Sequence, residues 1–194
     1  MSFKFLVIHT AAFAPNDIPG DCSVEQIRQW HLERGWSDIG YHFVIRMNGD
    51  IEKGRPLSKP GAHAKGLNRK GIGVCCSGHG DLADFTDEQK NAIVELYHRL
   101  DDYEIKVIGH REINQYVNKK HHTAKTCPGA KVNMDEIRSL ISNSFTRNNS
   151  FPDEPLKRLQ AFLQAEAFYL GIIDGIDGPK TQQAIERCIE RFKP

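Results

Sequence analysis

Short, mostly apolar runs recur along the chain and have the length of buried β-strands. They lie at residues 3–8, 40–45, 51–54, 71–76 and 105–108. Such runs, rich in β-branched and aromatic residues, are typical of strands in a packed sheet. Asn48-Gly49 separates the second run from the third. This dipeptide suits the positive φ angles of a type I′ turn, so these two runs are predicted to form a hairpin.

Apolar residues at helical spacing lie between and after these runs. The predicted helices cover residues 23–35, 86–100 and 133–141. Ser23 and Thr86 are each followed three residues later by a glutamine, which is the pattern of a capping box at a helix N-terminus. Strands that alternate with helices predict an α/β domain with a mixed central sheet flanked by helices.

The pattern changes near residue 142. The next stretch is polar, contains Pro152 and has no clear periodicity, as expected of a linker. Apolar residues at helical spacing then return, followed by a Gly/Asp-rich loop at 171–178 and by Pro179 at the start of a last helix. The chain is therefore predicted to contain a domain at 1–142, a linker at 143–154 and a small helical segment at 155–194.

Composition excludes several classes of partner. The chain has 194 residues, of which 39% are hydrophobic and 26% charged, as in ordinary globular proteins. The net charge of +1 gives no electrostatic reason to expect nucleic acid as a partner. No apolar run approaches the roughly 18 residues of a membrane span, so no membrane partner is expected either. We expect a monomer.

The cysteines and the N-terminus indicate the compartment of synthesis. Five cysteines at irregular spacing do not form a disulfide framework, which favours a reducing environment. The N-terminal residues lack the charged region, apolar core and cleavage site of a secretory signal. Synthesis in the cytoplasm, without export by a signal peptide, is therefore expected.

Three potential metal ligands follow predicted strands or lie in a tight turn. His9 follows the first strand, His110 follows the last, and Cys127 begins a Cys-Pro-Gly turn. A catalytic zinc ion is held by about three protein ligands and keeps one position open. The sequence therefore predicts one zinc ion per chain on these residues. A closed structural site, with His121 or His122 as a fourth ligand, is one alternative. Another is that the two histidines are ordinary buried residues and that Cys127 is an inert core thiol.

Two further residues are candidates for assisting such a metal ion. Zinc with an open position acidifies water and polarises a carbonyl group, and the oxyanion that forms needs a further hydrogen-bond donor. Lys125 lies two residues before Cys127, and Tyr41 lies in the second predicted strand. We consider both as catalytic residues. The alternatives are a solvated loop lysine and a core tyrosine.

Six separated motifs together resemble a known family. They are Val7–Thr10, Gly35–Phe43, Gly61–His63, Gly71–Val74, Gly109–Glu112 and Lys125–Gly129. In this order they are similar to motifs of the zinc-dependent N-acetylmuramoyl-L-alanine amidases, which include small phage amidases and the animal peptidoglycan recognition proteins. The resemblance extends over roughly residues 3–141, and it implies the same α/β fold.

The resemblance also implies roles for individual residues. Zinc would be bound by His9, His110 and Cys127, with Tyr41 and Lys125 as the assisting pair. The bond hydrolysed would be the amide between the lactyl group of N-acetylmuramic acid and L-alanine.

The same resemblance suggests substrate contacts. His31, Arg34 and His63 lie near positions that line the substrate groove in the family. The alternative is that His31 and Arg34 lie on a solvated helix face and His63 in a solvated loop, without a role in substrate binding.

The C-terminal segment carries a second resemblance. Asp174–Ala184 follows the Asp-Gly-x-x-Gly-x-x-Thr-x-x-Ala pattern of a peptidoglycan-binding module. The chain as a whole thus resembles a phage endolysin that is made in the host cytoplasm and degrades the cell wall after its release. A recognition module that binds peptidoglycan without cutting it is the alternative from another class. A cytoplasmic amidase that recycles wall fragments is the nearest enzymatic variant.

Overall fold

A five-stranded sheet forms the centre of the domain predicted at residues 1–142. The structure is a computed structural model that describes residues 3–100, 105–148, 155–165 and 179–191. Its strands are β1 (Phe5–Thr10), β2 (Phe43–Ile45), β3 (Ile51–Lys53), β4 (Gly71–Cys76) and β5 (Lys106–Gly109). Their order across the sheet is β3-β2-β4-β1-β5. Strand β1 runs parallel to β4 and β5, β2 runs parallel to β4, and β3 is antiparallel to β2. The sheet is mixed, as predicted.

The two central strands are apolar because both of their faces are covered. All six residues of β1 and all six of β4 are buried. Parallel strands are covered on both faces, so they read as continuous apolar runs rather than alternating ones. The edge strand β3 is short and partly exposed, which limits pairing with other chains.

The predicted hairpin is confirmed, but its turn type is not. The Gly49 N–H donates to the Arg46 carbonyl at 3.0 Å, and the Arg46 N–H donates to the Asp50 carbonyl at 2.9 Å. Gly49 has a φ of 87°, whereas Asn48 does not adopt a positive φ. A type I′ turn requires positive φ at two successive residues. The loop instead has three residues, and only its glycine is left-handed.

Three helices begin within the part of the chain that carries the sheet. They are α1 (Val24–Glu33), α2 (Asp87–Arg99) and α3 (Met134–Asn148). Thr86 and Gln89 form the complete predicted capping box at the start of α2, with N–H to oxygen distances of 3.1 and 3.2 Å. At α1, the Ser23 hydroxyl accepts a hydrogen bond from the Gln26 N–H at 3.2 Å.

Helix α3 is longer than predicted. It continues to Asn148 instead of ending near Ile141. The sequence from 134 to 151 contains neither glycine nor proline, and the first such residue is Pro152. Polar residues alone do not end a helix, because termination usually requires a glycine cap or a following proline. The remainder of the predicted linker, 149–154, lies outside the described residues.

The chain divides into two compact units, Met1–Arg138 and Ser139–Pro194. The second contains α4 (Pro155–Ala165) and α5 (Pro179–Arg191). Leu163 and Ala184 are buried together, and Gln160 Nε2 donates to Thr181 Oγ1 at 3.0 Å. The threonine and alanine of the motif thus pack inward. Helix α5 begins at Pro179 as predicted, whereas the predicted loop at 171–178 lies outside the described residues.

None of the helices described here combines the length and the hydropathy needed to cross a lipid bilayer.

Candidate metal centre

The sheet brings two of the predicted metal ligands to one edge. His9 is the penultimate residue of β1, and His110 directly follows β5. The strands are parallel neighbours, with Ile8 opposite Gly109. The carboxyl ends of parallel neighbours meet at the same edge of a sheet, so the two side chains emerge side by side. Both histidines are buried, and their ring centroids lie 4.6 Å apart.

Hydrogen bonds hold the loop of Cys127 against this edge. The Arg111 N–H donates to the Cys127 carbonyl at 2.6 Å. The Arg111 guanidinium also donates to the carbonyls of Gly129 and Val132. These bonds place the Cys127 Sγ atom 3.6 Å from His9 Nδ1.

The three predicted ligands therefore converge. One ligand atom from each of His9, His110 and Cys127 lies within 4.8 Å of the other two. Among the residues that the structure describes, His121 and His122 do not belong to this group. They line an adjacent cleft.

The charge states of these groups suit a soft or borderline cation. Burial lowers the pKa of His9 well below its usual value, with smaller contributions from His63, His110 and Lys125. Burial, and then the Lys125 charge, lowers the pKa of His110 to about 4. Both imidazoles are therefore neutral near pH 7 and carry a free lone pair. Two neutral imidazoles and one thiol that can ionise match the donor set of zinc.

The Cys127 thiol lies in an environment that only partly favours the thiolate. Burial raises its pKa, whereas the Thr10 backbone N–H and the Lys125 charge pull the pKa down. A bound divalent cation would supply the missing positive charge, because a coordinating thiol is deprotonated. The donors present thus fit a metal ion.

Both predicted assisting residues lie near this cluster. The Tyr41 ring is 5.0 Å from the His9 ring, centroid to centroid. Burial, followed by the nearby Cys75 and Cys127 thiols, holds the pKa of Tyr41 well above its usual value. Its hydroxyl therefore keeps its proton near neutral pH. Lys125 is exposed and lines the cleft next to His110.

The three predicted substrate contacts occupy different environments. His31 is buried, stacks on Trp36 with ring centroids 4.4 Å apart, and accepts the Gly40 N–H at Nδ1. Arg34 is exposed at the end of α1. His63 lines the cleft, and burial lowers its pKa to about 3. Substrate binding by these residues stays a prediction.

The cleft beside the ligand cluster has a volume of about 560 Å³. Its walls combine the indole ring of a tryptophan, several lysines and the four histidines His63, His110, His121 and His122. The tryptophan is Trp36, and the lysines are Lys65, Lys120 and Lys125.

Comparison with known proteins decides the family. Residues 1–130 match the family model described as N-acetylmuramoyl-L-alanine amidase. The chain belongs to this amidase family. The predicted family and the α/β fold that it implies are thereby confirmed.

Individual members of the amidase family show how far the similarity extends. The endolysin of Enterobacteria phage K11 is 45% identical over 85 residues, which is 41% of this chain and 56% of that endolysin. The chain thus spans little more than half the length of this curated relative. Peptidoglycan-recognition protein SC2 of Drosophila melanogaster is 30% identical over 141 residues, or 70% of this chain and 73% of that protein. The solved structure of the N-acetylmuramoyl-L-alanine amidase LysC from Clostridium intestinale is 28% identical, with a TM-score of 0.61 and coverage of 73% of this chain and 87% of LysC.

Several residues that build the site in this amidase-family chain were not predicted from the sequence. Arg111 anchors the Cys127 loop, and Glu112 accepts the Gly109 N–H at 2.7 Å while pairing with Arg138 at 3.1 Å. The sequence did carry a signal, because both residues lie within the motif Gly109–Glu112, next to His110. Trp36 of the cleft wall lay within a motif but was not singled out.

Proposed function

We propose that this chain hydrolyses the amide bond between N-acetylmuramic acid and the L-alanine of peptidoglycan, with one zinc ion held by His9, His110 and Cys127. The observation that carries this proposal is the convergence of these three ligand atoms within 4.8 Å beside an open cleft. Membership of the amidase family supports the reaction, and the similarity to phage endolysins supports a role in cell wall degradation. Zinc, when bound, acidifies water and polarises the carbonyl group of the bond to be cleaved.

The residues of the chain would bind the metal ion and stabilise the charge that develops on the substrate. His9 and His110 supply neutral donors, and Cys127 supplies the negative charge that a divalent cation needs for tight binding. The protonated Tyr41 hydroxyl and the Lys125 ammonium are the donors proposed for the negative charge that develops on the amide oxygen. Donors already aimed at such a charge stabilise it more than water does, because they need not reorganise.

The cleft has the chemistry expected of a peptidoglycan site. The Trp36 ring offers an apolar surface to a sugar, whereas Lys65 and Lys120 offer charge to the carboxylates of a stem peptide. We propose His63 of the lining as a substrate contact, and His31 and Arg34 as neighbours that complete this region. His31 would act through Trp36, on which it stacks.

The test of this function is chemical. Purified protein is incubated with bacterial sacculi, and the products are labelled for new free N-terminal alanine and for new reducing sugar ends. We expect alanine amino groups to appear, to be absent after chelator treatment, and to return when zinc is restored. Reducing ends in place of alanine would contradict the proposal, because the bond cut would then be glycosidic.

The same experiment separates the second candidate function. The second candidate is a module that binds muropeptides without cutting them, and the similarity to peptidoglycan-recognition proteins supports the binding part of it. Such a module would sediment with sacculi and release neither alanine nor reducing ends. An amidase that recycles wall fragments would cleave soluble muropeptides in preference to intact sacculi.

We further propose that residues 155–194 bind the cell wall and that 143–154, of which 143–148 belong to helix α3, link them to the amidase domain. The support is the motif at Asp174–Ala184, whose Thr181 and Ala184 are buried. The protein would be a monomer without a nucleic acid partner, made in the cytoplasm and active on the wall after its release.

Deleting residues 153–194 tests this wall-binding role. We expect the shortened protein to be retained on sacculi less than the full chain, with unchanged cleavage of a small soluble muropeptide. Cleavage of the soluble substrate controls for the integrity of the amidase domain. Equal retention of the two proteins would rule out wall binding by the segment.

A further inference from the structure

His63 lies directly behind one of the ligand histidines. Its Nδ1 atom is 3.0 Å from Nε2 of His9, and its own Nε2 is 3.2 Å from the Gly71 carbonyl oxygen. His9 uses its other nitrogen, Nδ1, to face the Cys127 sulfur at 3.6 Å. One continuous line of contacts therefore connects a backbone carbonyl of β4, through two rings, to the ligand cluster.

The carbonyl at the end of this line fixes the direction of every hydrogen bond in it. A carbonyl oxygen only accepts, so Nε2 of His63 carries the hydrogen and donates to Gly71. A neutral ring with hydrogen on Nε2 has its lone pair on Nδ1. Nδ1 of His63 must then accept from Nε2–H of His9. His9 is left with its lone pair on Nδ1, the nitrogen that faces Cys127.

The His63 ring is held in a slot that only glycine permits. A Cβ atom built on Gly73 would lie 2.5 Å from two ring carbons of His63, and one on Gly61 would also overlap the ring. Real Cβ atoms do not approach that closely, so both positions need glycine. The loop is fixed as well, because Asn68 Oδ1 accepts the N–H groups of His63 and Ala64 at 2.9 and 2.8 Å.

We propose that His63 is a positioning residue for the metal ligand His9, which sets its tautomer and the orientation of its ring. This inference rests on the proposed metal site. Groups that accept the second N–H of a ligand histidine commonly orient the ring, and their loss typically weakens metal binding by about 10–100-fold. Gly61 and Gly73 of two separate motifs serve the same purpose, since they make room for the His63 ring.

Substitutions at His63 test this role through zinc affinity, measured by competition with a chromogenic chelator. We expect His63→Ala to weaken zinc binding by about 10–100-fold. An asparagine places its amide oxygen near the position of Nδ1, whereas a glutamine places its amide near Nε2. His63→Asn should therefore restore most of the affinity, and His63→Gln should not. His31→Ala removes another buried histidine with a backbone hydrogen bond and should leave zinc affinity near the wild-type value.

Two results overturn the proposal. One is a zinc affinity for His63→Ala within about twofold of wild type, well short of the loss expected for such a group. The other is an equal loss in the asparagine, glutamine and His31 variants, which would indicate general damage to packing.

A second measurement does not depend on any variant folding. Long-range nitrogen-15 correlation spectra of the metal-free full chain report which nitrogen of each histidine carries hydrogen. Hydrogen on Nε2 of both His9 and His63 is the expected result, and hydrogen on Nδ1 of His9 overturns the proposal. If the wild-type protein binds no zinc, the proposed metal site fails, while the tautomer result still decides whether His63 positions His9.

Discussion

Cys127→Ala should abolish zinc binding at micromolar metal and reduce amide hydrolysis to background. Cys127 is the one ligand of the three that carries a negative charge when it coordinates a metal, so its loss removes charge as well as a donor atom. His9 and His110 alone offer two neutral donors, fewer than a catalytic zinc site uses. The expected result is measured as zinc per chain after desalting and as alanine release from sacculi.

The control for this variant is another buried thiol. Cys22 is buried, its Sγ lies 3.5 Å from the Ser77 hydroxyl, and it is not a member of the ligand cluster. Cys22→Ala should therefore keep one zinc ion per chain and most of the activity. Full activity of Cys127→Ala, with the fold intact by circular dichroism, would remove the thiolate from the mechanism.

Lys125→Ala should lower turnover by about 10²-fold or more while leaving zinc content unchanged, as expected for loss of one donor to a developing oxyanion. Lys125 is exposed at the cleft, and its charge lowers the pKa values of His9 and His110, so its ammonium acts on the ligand cluster without belonging to it. An interaction made only in the transition state affects kcat rather than KM. The measurement is therefore steady-state kinetics on a soluble muropeptide, together with metal analysis.

Lys120 supplies the matched control for Lys125. It lines the same cleft and carries the same charge, but it is not among the groups that shift the pKa of the ligand histidines. Lys120→Ala should raise KM more than it lowers kcat. Equal losses of kcat in the two variants would indicate a general effect of charge in the cleft, and loss of zinc from Lys125→Ala would indicate a structural role.

The pairing of His9 with His110 could be predicted because it follows from sheet topology. Both residues lie at the ends of apolar runs, and the ends of parallel strands lie at one edge. The position of Cys127 is less direct. The sequence shows a rigid turn, but hydrogen bonds from Arg111 to that turn are what hold the sulfur at the sheet edge. Such contacts between a loop and a distant side chain leave no periodic signal.

The sequence motif marked His63 as a candidate site residue but did not reveal its contact with His9. Gly61, Gly73 and His63 stand out in the sequence, and His63 was interpreted as a substrate contact. The close approach of a ring to two glycines depends on how β4 packs against the loop, which no local pattern encodes. The structure adds a contact with His9 that points to a role inside the metal site.

The errors in the predicted elements have similar causes. Asn48-Gly49 has the preferred composition of a type I′ turn, yet the register between β2 and β3 leaves a three-residue loop in which Asn48 is not left-handed. Helix α3 passes the predicted boundary because polar residues near Ile141 were interpreted as a linker. In the hairpin, the register of the paired strands decided the turn. In α3, the helix continued because the sequence holds no glycine or proline before Pro152.

X-ray absorption at the zinc edge, on the zinc-loaded full chain, tests the central claim most directly. The account predicts a four-coordinate shell with one sulfur at about 2.3 Å, two imidazole nitrogens at about 2.0–2.1 Å and one further light donor that exogenous ligands can replace. A shell without sulfur, or one completed by a third imidazole that no added ligand displaces, would contradict it.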